Sequence, residues 1–158
     1  MSDTPEKRYL PAGLPSPVAE PDGLAEPFWR GLTQERLLIQ QCRHCGTWQF
    51  GPEWICHGCL AFDPAWVEVA PRGRIYSWER IWHPAHPALK GRGPYLAVLI
   101  ELPDAGRVRL VGNLLGDPMQ EPAIGAWVRG VFEHHPEARM PYSLLQWQVE
   151  PEGDAADE

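Results

Sequence analysis

The chain has 158 residues and a formal net charge of −7, and 44% of its residues are apolar. This length allows one ordinary domain or two small ones. A free-standing nucleic-acid-binding protein is usually basic, so the acidic balance argues against that class. No apolar run is long enough to cross a bilayer and no signal segment is evident, so we expect a soluble, cytoplasmic protein without membrane contact.

The two ends of the chain have biased compositions. Residues 1–21 are rich in Pro and small polar groups, which predicts a disordered or extended arm. An arm that wraps a partner is the alternative that the sequence leaves open. Residues 150–158 hold five acids and no base, and they are predicted to form an acidic tail.

A short helix is predicted over residues 22–35. Pro27 suits the first turn, where its missing N–H is not needed. Phe28, Trp29 and Leu32 then fall on one side of the helix. These large apolar side chains need cover, which either the rest of the same domain or another subunit would supply.

Residues 36–70 are predicted to form a metal-binding ribbon. The segment contains every cysteine of the protein in two C-x-x-C pairs: Cys42, Cys45, Cys56 and Cys59. Two such turns bring four thiolates together, as a tetrahedral zinc site requires. Two disulfides or a rubredoxin-type iron on the same sulfurs are the alternatives. Zinc is favoured because no electron-transfer partner motif is present elsewhere in the chain.

Four protein ligands leave no open position for water or substrate. The predicted Zn²⁺ would therefore be structural and would not take part in chemistry. His44 and His57 lie inside the two knuckles and are expected to be exposed loop residues, because four cysteines already complete the ligand set.

Residues 71–149 are predicted to form a five-stranded barrel. Five short segments carry strand-type apolar residues, and they are separated by turns rich in Pro, Asp and Gly. Their number and size best match the OB-fold, the oligonucleotide/oligosaccharide-binding barrel. The predicted strands are residues 74–81, 95–102, 107–114, 127–134 and 144–149.

Candidate substrate-binding residues come from an uneven charge distribution. Residues 71–112 hold seven basic residues against three acidic ones, inside an acidic protein. Phosphate groups are recognised by Arg and Lys, so we expect this segment to bind a phosphate-bearing ligand. The candidates are Arg72, Arg74, Lys90 and Arg92. Ordinary solvated surface charge is the alternative for each.

No catalytic residue is predicted. No cysteine is spare, and no serine lies in a nucleophile-elbow motif. His83 and His86 in the long loop after the first barrel strand have a suitable ionisable group, but no fixed acidic partner is evident. His134 and His135 are expected to end a strand in a solvated turn.

The order of these motifs resembles one known family. The chain presents Phe28-Trp29, the strand from Leu37 to Gln40, the two knuckles, the Gly73-to-Trp78 strand, Pro94-Tyr95 and the segment from Ile124 to Val128. In this order they resemble the zinc-ribbon plus OB-fold family called DUF35, the acyl-CoA-associated OB-fold proteins. The resemblance covers roughly residues 24 to 149. The chain departs from the family pattern at His57 and Trp127, outside the cysteine set.

The resemblance implies an accessory role. Family members are similar to subunits that bind thiolase-fold enzymes, including steroid side-chain aldolases, and that help to position acyl-CoA. We therefore expect a non-catalytic subunit of a hetero-oligomer with a thiolase-fold partner. Partnership with a hotdog-fold enoyl-CoA hydratase is one alternative, and a nucleic-acid-binding module is another.

Overall fold

A computed structural model describes residues 14–17 and 22–151. The protein is mainly β, with a three-stranded ribbon sheet followed by a closed five-stranded barrel, as predicted. The helix is α1 (Glu26–Thr33), and the ribbon strands are β1 (Leu37–Gln41), β2 (Trp48–Gln49) and β3 (Ala65–Val69). The barrel strands are β4 (Arg72–Ile81), β5 (Tyr95–Leu102), β6 (Val108–Leu114), β7 (Trp127–His135) and β8 (Tyr142–Val149).

The barrel has the strand order β4-β5-β6-β8-β7, and β7 returns to pair with β4. Strands β6 and β8 pair in parallel, at Leu114 and Trp147, and the other neighbouring strands of the barrel pair antiparallel. A five-stranded Greek-key barrel of this kind is the OB architecture. Alternate residues of each strand face inward, so Leu96, Val98 and Ile100 of β5 are fully buried in the core.

Strand β3 was not predicted from the sequence. It pairs antiparallel with β1, from Leu37 opposite Val69 to Gln41 opposite Ala65, and completes the ribbon sheet in the order β2-β1-β3. Its five residues carry only a short apolar alternation, and their partner lies almost thirty residues upstream. A local pattern therefore does not reveal the pairing that stabilises this strand.

Helix α1 lies between the ribbon and the barrel. It is shorter than the predicted range of 22–35, because a hydrogen bond from the Gln34 N–H to the Gly31 carbonyl ends it. Leu32 is buried, and the rings of Phe28 and Phe50 lie 5.3 Å apart. Phe28 and Trp29 pack against the core of the same chain, so these apolar side chains are covered at least in part by their own domain.

The ribbon is docked closely on the barrel. Only Ala70 and Pro71 separate β3 from β4, and the Arg72 N–H donates to the Ala70 carbonyl at 2.8 Å. At the other side of the ribbon, Trp48 packs on Gly106 in the turn between β5 and β6. A Cβ at Gly106 would stand 2.7 Å from Trp48 Cδ1, and its φ of +61° is also unfavourable for other residues.

Two predicted segments fall wholly or largely outside the described residues. They are the arm at residues 1–21, of which only 14–17 are described, and the acidic tail, of which only 150 and 151 are described. Within the described residues, no helix is long and apolar enough to cross a membrane.

Candidate functional sites

The four predicted ligands form a single cluster. The Sγ atoms of all four cysteines lie within 4.8 Å of one another. Cys42 Sγ is 3.6 Å from Cys59 Sγ, and Cys45 Sγ is 3.6 Å from Cys56 Sγ. A tetrahedron with Zn–S bonds of about 2.3 Å has S···S edges of about 3.8 Å, so the cluster fits a four-sulfur zinc site.

The backbone of each knuckle shapes this cluster. In the first, the Gly46 N–H donates to the Cys42 carbonyl at 3.0 Å, and Gly46 has a φ of +76°. In the second, the Leu60 N–H donates to the Cys56 carbonyl at 2.9 Å, with Leu60 at a φ of +62°. Each turn thus contains one residue in the left-handed backbone region. Only the first turn has a glycine there, the residue that adopts this conformation without strain.

Hydrogen bonds to sulfur favour the thiolate form that binds metal. The N–H groups of Cys45 and His44 point at Cys42 Sγ and lower the pKa of that thiol. Contacts with the side chain and then the backbone of Thr47 lower the pKa of Cys45 to about 6. A thiolate is the metal-ligating form of cysteine, so the hydrogen bonds of Cys42 and Cys45 favour ligation. At Cys59 a backbone hydrogen bond at Ala61 acts in the same direction, but the Cys45 thiol and burial outweigh it and raise the pKa of Cys59 to about 12.

The geometry also tests the alternatives. All four cysteines are free, and S···S separations of 3.6 Å are far longer than a disulfide bond of about 2.05 Å. The disulfide alternative is therefore excluded. His44 and His57 are exposed and lie outside the ligand cluster, as predicted. Zinc bound here would have four protein ligands and would hold the two knuckles together.

The predicted substrate-binding residues fall into two groups. Arg72 and Arg74 lie at the start of β4, where their guanidinium carbons stand 3.9 and 4.3 Å from the centre of the Trp127 ring. Arg72 is also held by Glu150. Trp127, where the sequence departs from the family pattern, thus makes cation–π contacts with both arginines.

Lys90 and Arg92 lie in the loop that joins β4 to β5. This loop starts and ends where Ile81 pairs with Tyr95, at the far end of β4 from Arg72. A strand advances about 3.3 Å per residue, so the start of β4, with Arg72 and Arg74, lies about 25–30 Å from the end of β4 where the loop of Lys90 and Arg92 begins. Lys90 and Arg92 are exposed, and neither side chain has an ion-pair partner in the described part of the chain.

The loop histidines have no catalytic geometry in the described residues. His86 Nδ1 accepts a hydrogen bond from the Ala88 N–H at 3.1 Å and caps the short 3-10 helix Pro87–Leu89. His83 is exposed. Neither imidazole has a hydrogen-bonded carboxylate within the part of the chain that the structure describes.

A buried polar network is a feature that the sequence did not reveal. His135 was expected in a solvated turn, but it is 2% exposed and lies within β7. Its Nε2 is 2.8 Å from Glu133 Oε1, and its ring stacks on Tyr142 at 4.7 Å. Gln146 donates to Glu133 Oε2 at 2.9 Å. The expectation was wrong because His135 is the last residue of β7, paired with Tyr142 of β8, and its ring is held by Glu133 and Tyr142.

Comparison with known proteins identifies the family. Residues 29–65 match the rubredoxin-like zinc ribbon domain of ChsH2, and residues 66–133 match the ChsH2 C-terminal OB-fold domain. A solved structure described as the Ltp2-ChsH2(DUF35) aldolase is similar, with a TM-score of 0.71 and 32% identity. The match covers 85% of this chain and 98% of that chain. The chain belongs to the DUF35 family.

Two further proteins are similar to this chain. A DUF35 protein of unknown function from Sulfolobus solfataricus has a TM-score of 0.58 at 20% identity, over 80% of this chain and 85% of that one, which supports the fold alone. A probable enoyl-CoA hydratase alpha subunit from Thermomonospora curvata is 38% identical over 116 residues, or 72% of this chain. The chain spans about a third of that relative, since the match covers 35% of it.

Proposed function

We propose that this DUF35 protein is a non-catalytic accessory subunit that binds a thiolase-fold enzyme of the acyl-CoA aldolase type. The observation that carries the proposal is its similarity to the Ltp2-ChsH2(DUF35) aldolase structure, at 32% identity over 98% of that chain. A likeness of that extent includes both the ribbon and the barrel. We propose a cytoplasmic location as well, because a reducing compartment keeps four thiols available for metal.

The site chemistry agrees with an accessory role. The cysteines are committed to a closed cluster, which offers no position for substrate. The exposed cations Lys90 and Arg92 are suited to contact the phosphates of coenzyme A, while Arg72 is already held by Glu150. We therefore propose that this chain supplies binding and assembly, and that the partner supplies the reacting groups.

The second candidate is a subunit that acts with an enoyl-CoA hydratase. It rests on the relative named as a probable enoyl-CoA hydratase alpha subunit, of which this chain spans about a third. Any hydratase chemistry would then come from a hotdog-fold region outside the residues described here. Both candidates place the protein beside an acyl-CoA enzyme, and they differ in the fold of the partner.

Affinity purification followed by reconstitution tests the proposal. The tagged protein is purified from its native host after nuclease treatment, and the associated chains are identified by mass spectrometry. The expected result is a thiolase-fold chain in fixed ratio, and the two chains produced together should show acyl-CoA aldolase activity that neither shows alone. The Cys56→Ser variant, with a disrupted ribbon, is the matched control and should lose the partner.

The outcomes separate the candidates. A hotdog-fold hydratase in fixed ratio would replace the aldolase proposal with the hydratase one. If partner chains are recovered only when the nuclease treatment is omitted, the nucleic-acid alternative is favoured. The affinity for nucleic acid should then fall steeply with salt. The negative net charge makes that last outcome the least expected.

A further inference from the structure

Five exposed arginines share the outer face of the barrel on and beside strands β7, β4 and β6. Alternate residues of a strand face opposite sides of a sheet. The neighbours Gly73, Val128 and Leu110 are buried, so the arginines beside them point outward. We call this surface the arginine face, and its members are Arg72 and Arg74 of β4, Arg129 of β7, Arg109 of β6 and Arg107 directly before β6.

One row of paired residues crosses the arginine face. The N–H of Glu150 donates to the Trp127 carbonyl at 2.9 Å, and Trp127 pairs with Arg74. Arg74 pairs in turn with Glu101 of β5, and Glu101 pairs with Arg109 of β6. Neighbouring strands lie about 4.8 Å apart, so this row extends about 19 Å from Glu150 to Arg109.

Acidic side chains on this face are already engaged by arginines in the described part of the chain. Glu101 accepts hydrogen bonds from Arg107 and Arg109 at 3.1–3.2 Å. Glu150 accepts them from the first arginine of β4 at 2.8–3.1 Å. These hydrogen bonds raise the pKa of that arginine, and the charge of Asp104 adds a smaller effect. Three acidic residues thus stand among five arginines, and the surface is positive.

Two of the arginines have no carboxylate partner within residues 14–17 and 22–151. Arg74 lies over the Trp127 ring, and its Nη1 donates to the Gly125 carbonyl at 3.5 Å. Arg129 Nη2 donates to Gln148 Oε1 at 2.7 Å. A guanidinium has five N–H donors, so both side chains keep donors for an anion.

The chain itself carries a complementary segment next to this face. The described residues reach Pro151, directly after the glutamate that Arg72 holds. Seven residues span about 23 Å when extended, which is longer than the row of about 19 Å. A short tether also raises the local concentration of a segment to about the millimolar range. Residues 152–158 contain four acidic residues and no base: Glu152, Asp154, Asp157 and Glu158.

We propose that residues 152–158 lie across the arginine face, where their carboxylates contact Arg74 and Arg129 and screen the face from phosphate-bearing molecules. Exposed ion pairs are individually weak, so a ligand of denser charge displaces the segment. The contact requires only this chain. It therefore goes beyond the proposed function and can fail independently of it.

Two variants of the zinc-loaded full chain, labelled with ¹⁵N, test the contact. Each removes three negative charges, so the change in net charge is the same in both. The tail variant carries Asp154→Asn, Asp157→Asn and Glu158→Gln. The arm variant, which is the matched control, carries Asp3→Asn, Glu6→Gln and Glu20→Gln.

Proton–nitrogen correlation spectra report on the arginine face. The Trp127 indole signal, identified by its loss in Trp127→Phe, and the amide signals of Arg74 and Arg129 should move in the tail variant relative to the parent. The arm variant should leave them in place. The difference should shrink at about 0.5 M salt, where charges are screened over about 4 Å.

Pyrophosphate, followed at the Trp127 indole signal, tests the screening. The tail variant should bind it about three- to tenfold more tightly than the parent, because a weak tethered competitor has been removed. The arm variant should bind it as the parent does. Adding Arg74→Gln to the tail variant should abolish the gain.

Four results would overturn the proposal. They are unmoved signals in the tail variant, equal movements in the arm variant, equal pyrophosphate affinity of the tail variant and the parent, and no pyrophosphate binding by the tail variant. A signal difference that grows with protein concentration would make the segment of a second copy the occupant and would also exclude the contact within one chain.

Discussion

Arg72 and Glu150 form a bidentate ion pair that spans strand β7. Arg72 Nε and Nη2 lie 2.8–3.1 Å from the two carboxylate oxygens of Glu150, which follows the last residue of β8. Strand β7 lies between β4 and β8 in the barrel, and Trp127 of that strand stands under the Arg72 guanidinium. The pair thus fastens the two neighbours of β7 to each other at the end of the barrel nearest the ribbon.

The first prediction concerns the pH dependence of this pair. The hydrogen bonds from Arg72 hold the pKa of Glu150 below its ordinary value. A carboxyl whose pKa is lowered by folding stabilises the protein above its unfolded pKa, and that contribution is lost as the pH falls through the folded pKa. Glu150→Gln should therefore lower the melting temperature at neutral pH, and its difference from the parent should shrink in acid.

Thermal melts of both proteins between about pH 3 and pH 7 measure this effect. Glu68→Gln, which breaks the exposed ion pair between Arg36 and Glu68 in the ribbon, is the control and should change the melting temperature little. A difference between Glu150→Gln and the parent that stays constant down to pH 3 would contradict the assignment.

The second prediction concerns the metal. Structural zinc supplies about 10–16 kcal/mol of apparent folding free energy in small zinc domains, so its loss should unfold the ribbon. Cys42→Ser and Cys56→Ser should each lose about one equivalent of zinc per chain, and chelation of the parent should do the same. Elemental analysis and near-ultraviolet circular dichroism are the measurements.

His44→Ala and His57→Ala are the matched controls for the metal experiment. Both side chains are in the knuckles but outside the ligand cluster, so both variants should keep their zinc. A folded, zinc-replete Cys56→Ser protein would exclude the four-cysteine site.

The third prediction concerns the buried polar network. Gln146 is 1% exposed and bridges Asn113 to the buried carboxylate of Glu133. Gln146→Ala removes these contacts and should destabilise the protein by about 2–3 kcal/mol. Gln148 on the same strand makes an exposed hydrogen bond to Arg129, so Gln148→Ala should change the stability by about 0.5 kcal/mol or less.

Urea unfolding followed by tryptophan fluorescence compares the two glutamine variants. Equal stability changes would mean that the network around Glu133 contributes no more than a surface contact does.

The fourth prediction separates the two basic groups. If the loop between β4 and β5 contacts coenzyme A phosphates, Lys90→Ala with Arg92→Ala should raise the KM for acyl-CoA in the reconstituted complex by about tenfold. Arg74→Ala, at the opposite end of β4, should change the KM less. Size-exclusion chromatography of the complex should show that assembly is intact in both variants.

If Arg74→Ala raises the KM for acyl-CoA and the loop variant does not, the phosphate contact lies on the surface around Trp127 and not on the loop. Unchanged kinetics in both variants would remove the whole basic set from the substrate site.

The sequence predicted those features that depend on local patterns. The cysteine spacing predicted the metal cluster, and alternation of apolar residues predicted five barrel strands within a few residues of their bounds. Strand β3 was missed because its stability comes from pairing with β1, far upstream. His135 was misassigned because its neighbours His134 and Pro136 suggest a turn, whereas its burial depends on Glu133 and Tyr142.

A groove of about 640 Å³ on the outer face of β5, β6 and β8 shows the same limit on a larger scale. Its walls come from α1, from Phe50 of the ribbon and from three strands of the barrel. Each contributor is an ordinary apolar residue in its own segment. Nothing in the spacing of these residues indicates that they converge, so only the folded chain could reveal the cavity.

The two-residue link between β3 and β4 determines how this fold can be divided. The two family matches meet between residues 65 and 66, directly after the first residue of β3. A chimera of two family members joined at that point would take β1 from one protein and nearly all of β3 from the other. The backbone pairing that joins Leu37 to Val69 would then have to form between strands from different proteins. A chimera joined at Ala70 and Pro71 keeps the sheet whole, because β3 belongs to the ribbon sheet.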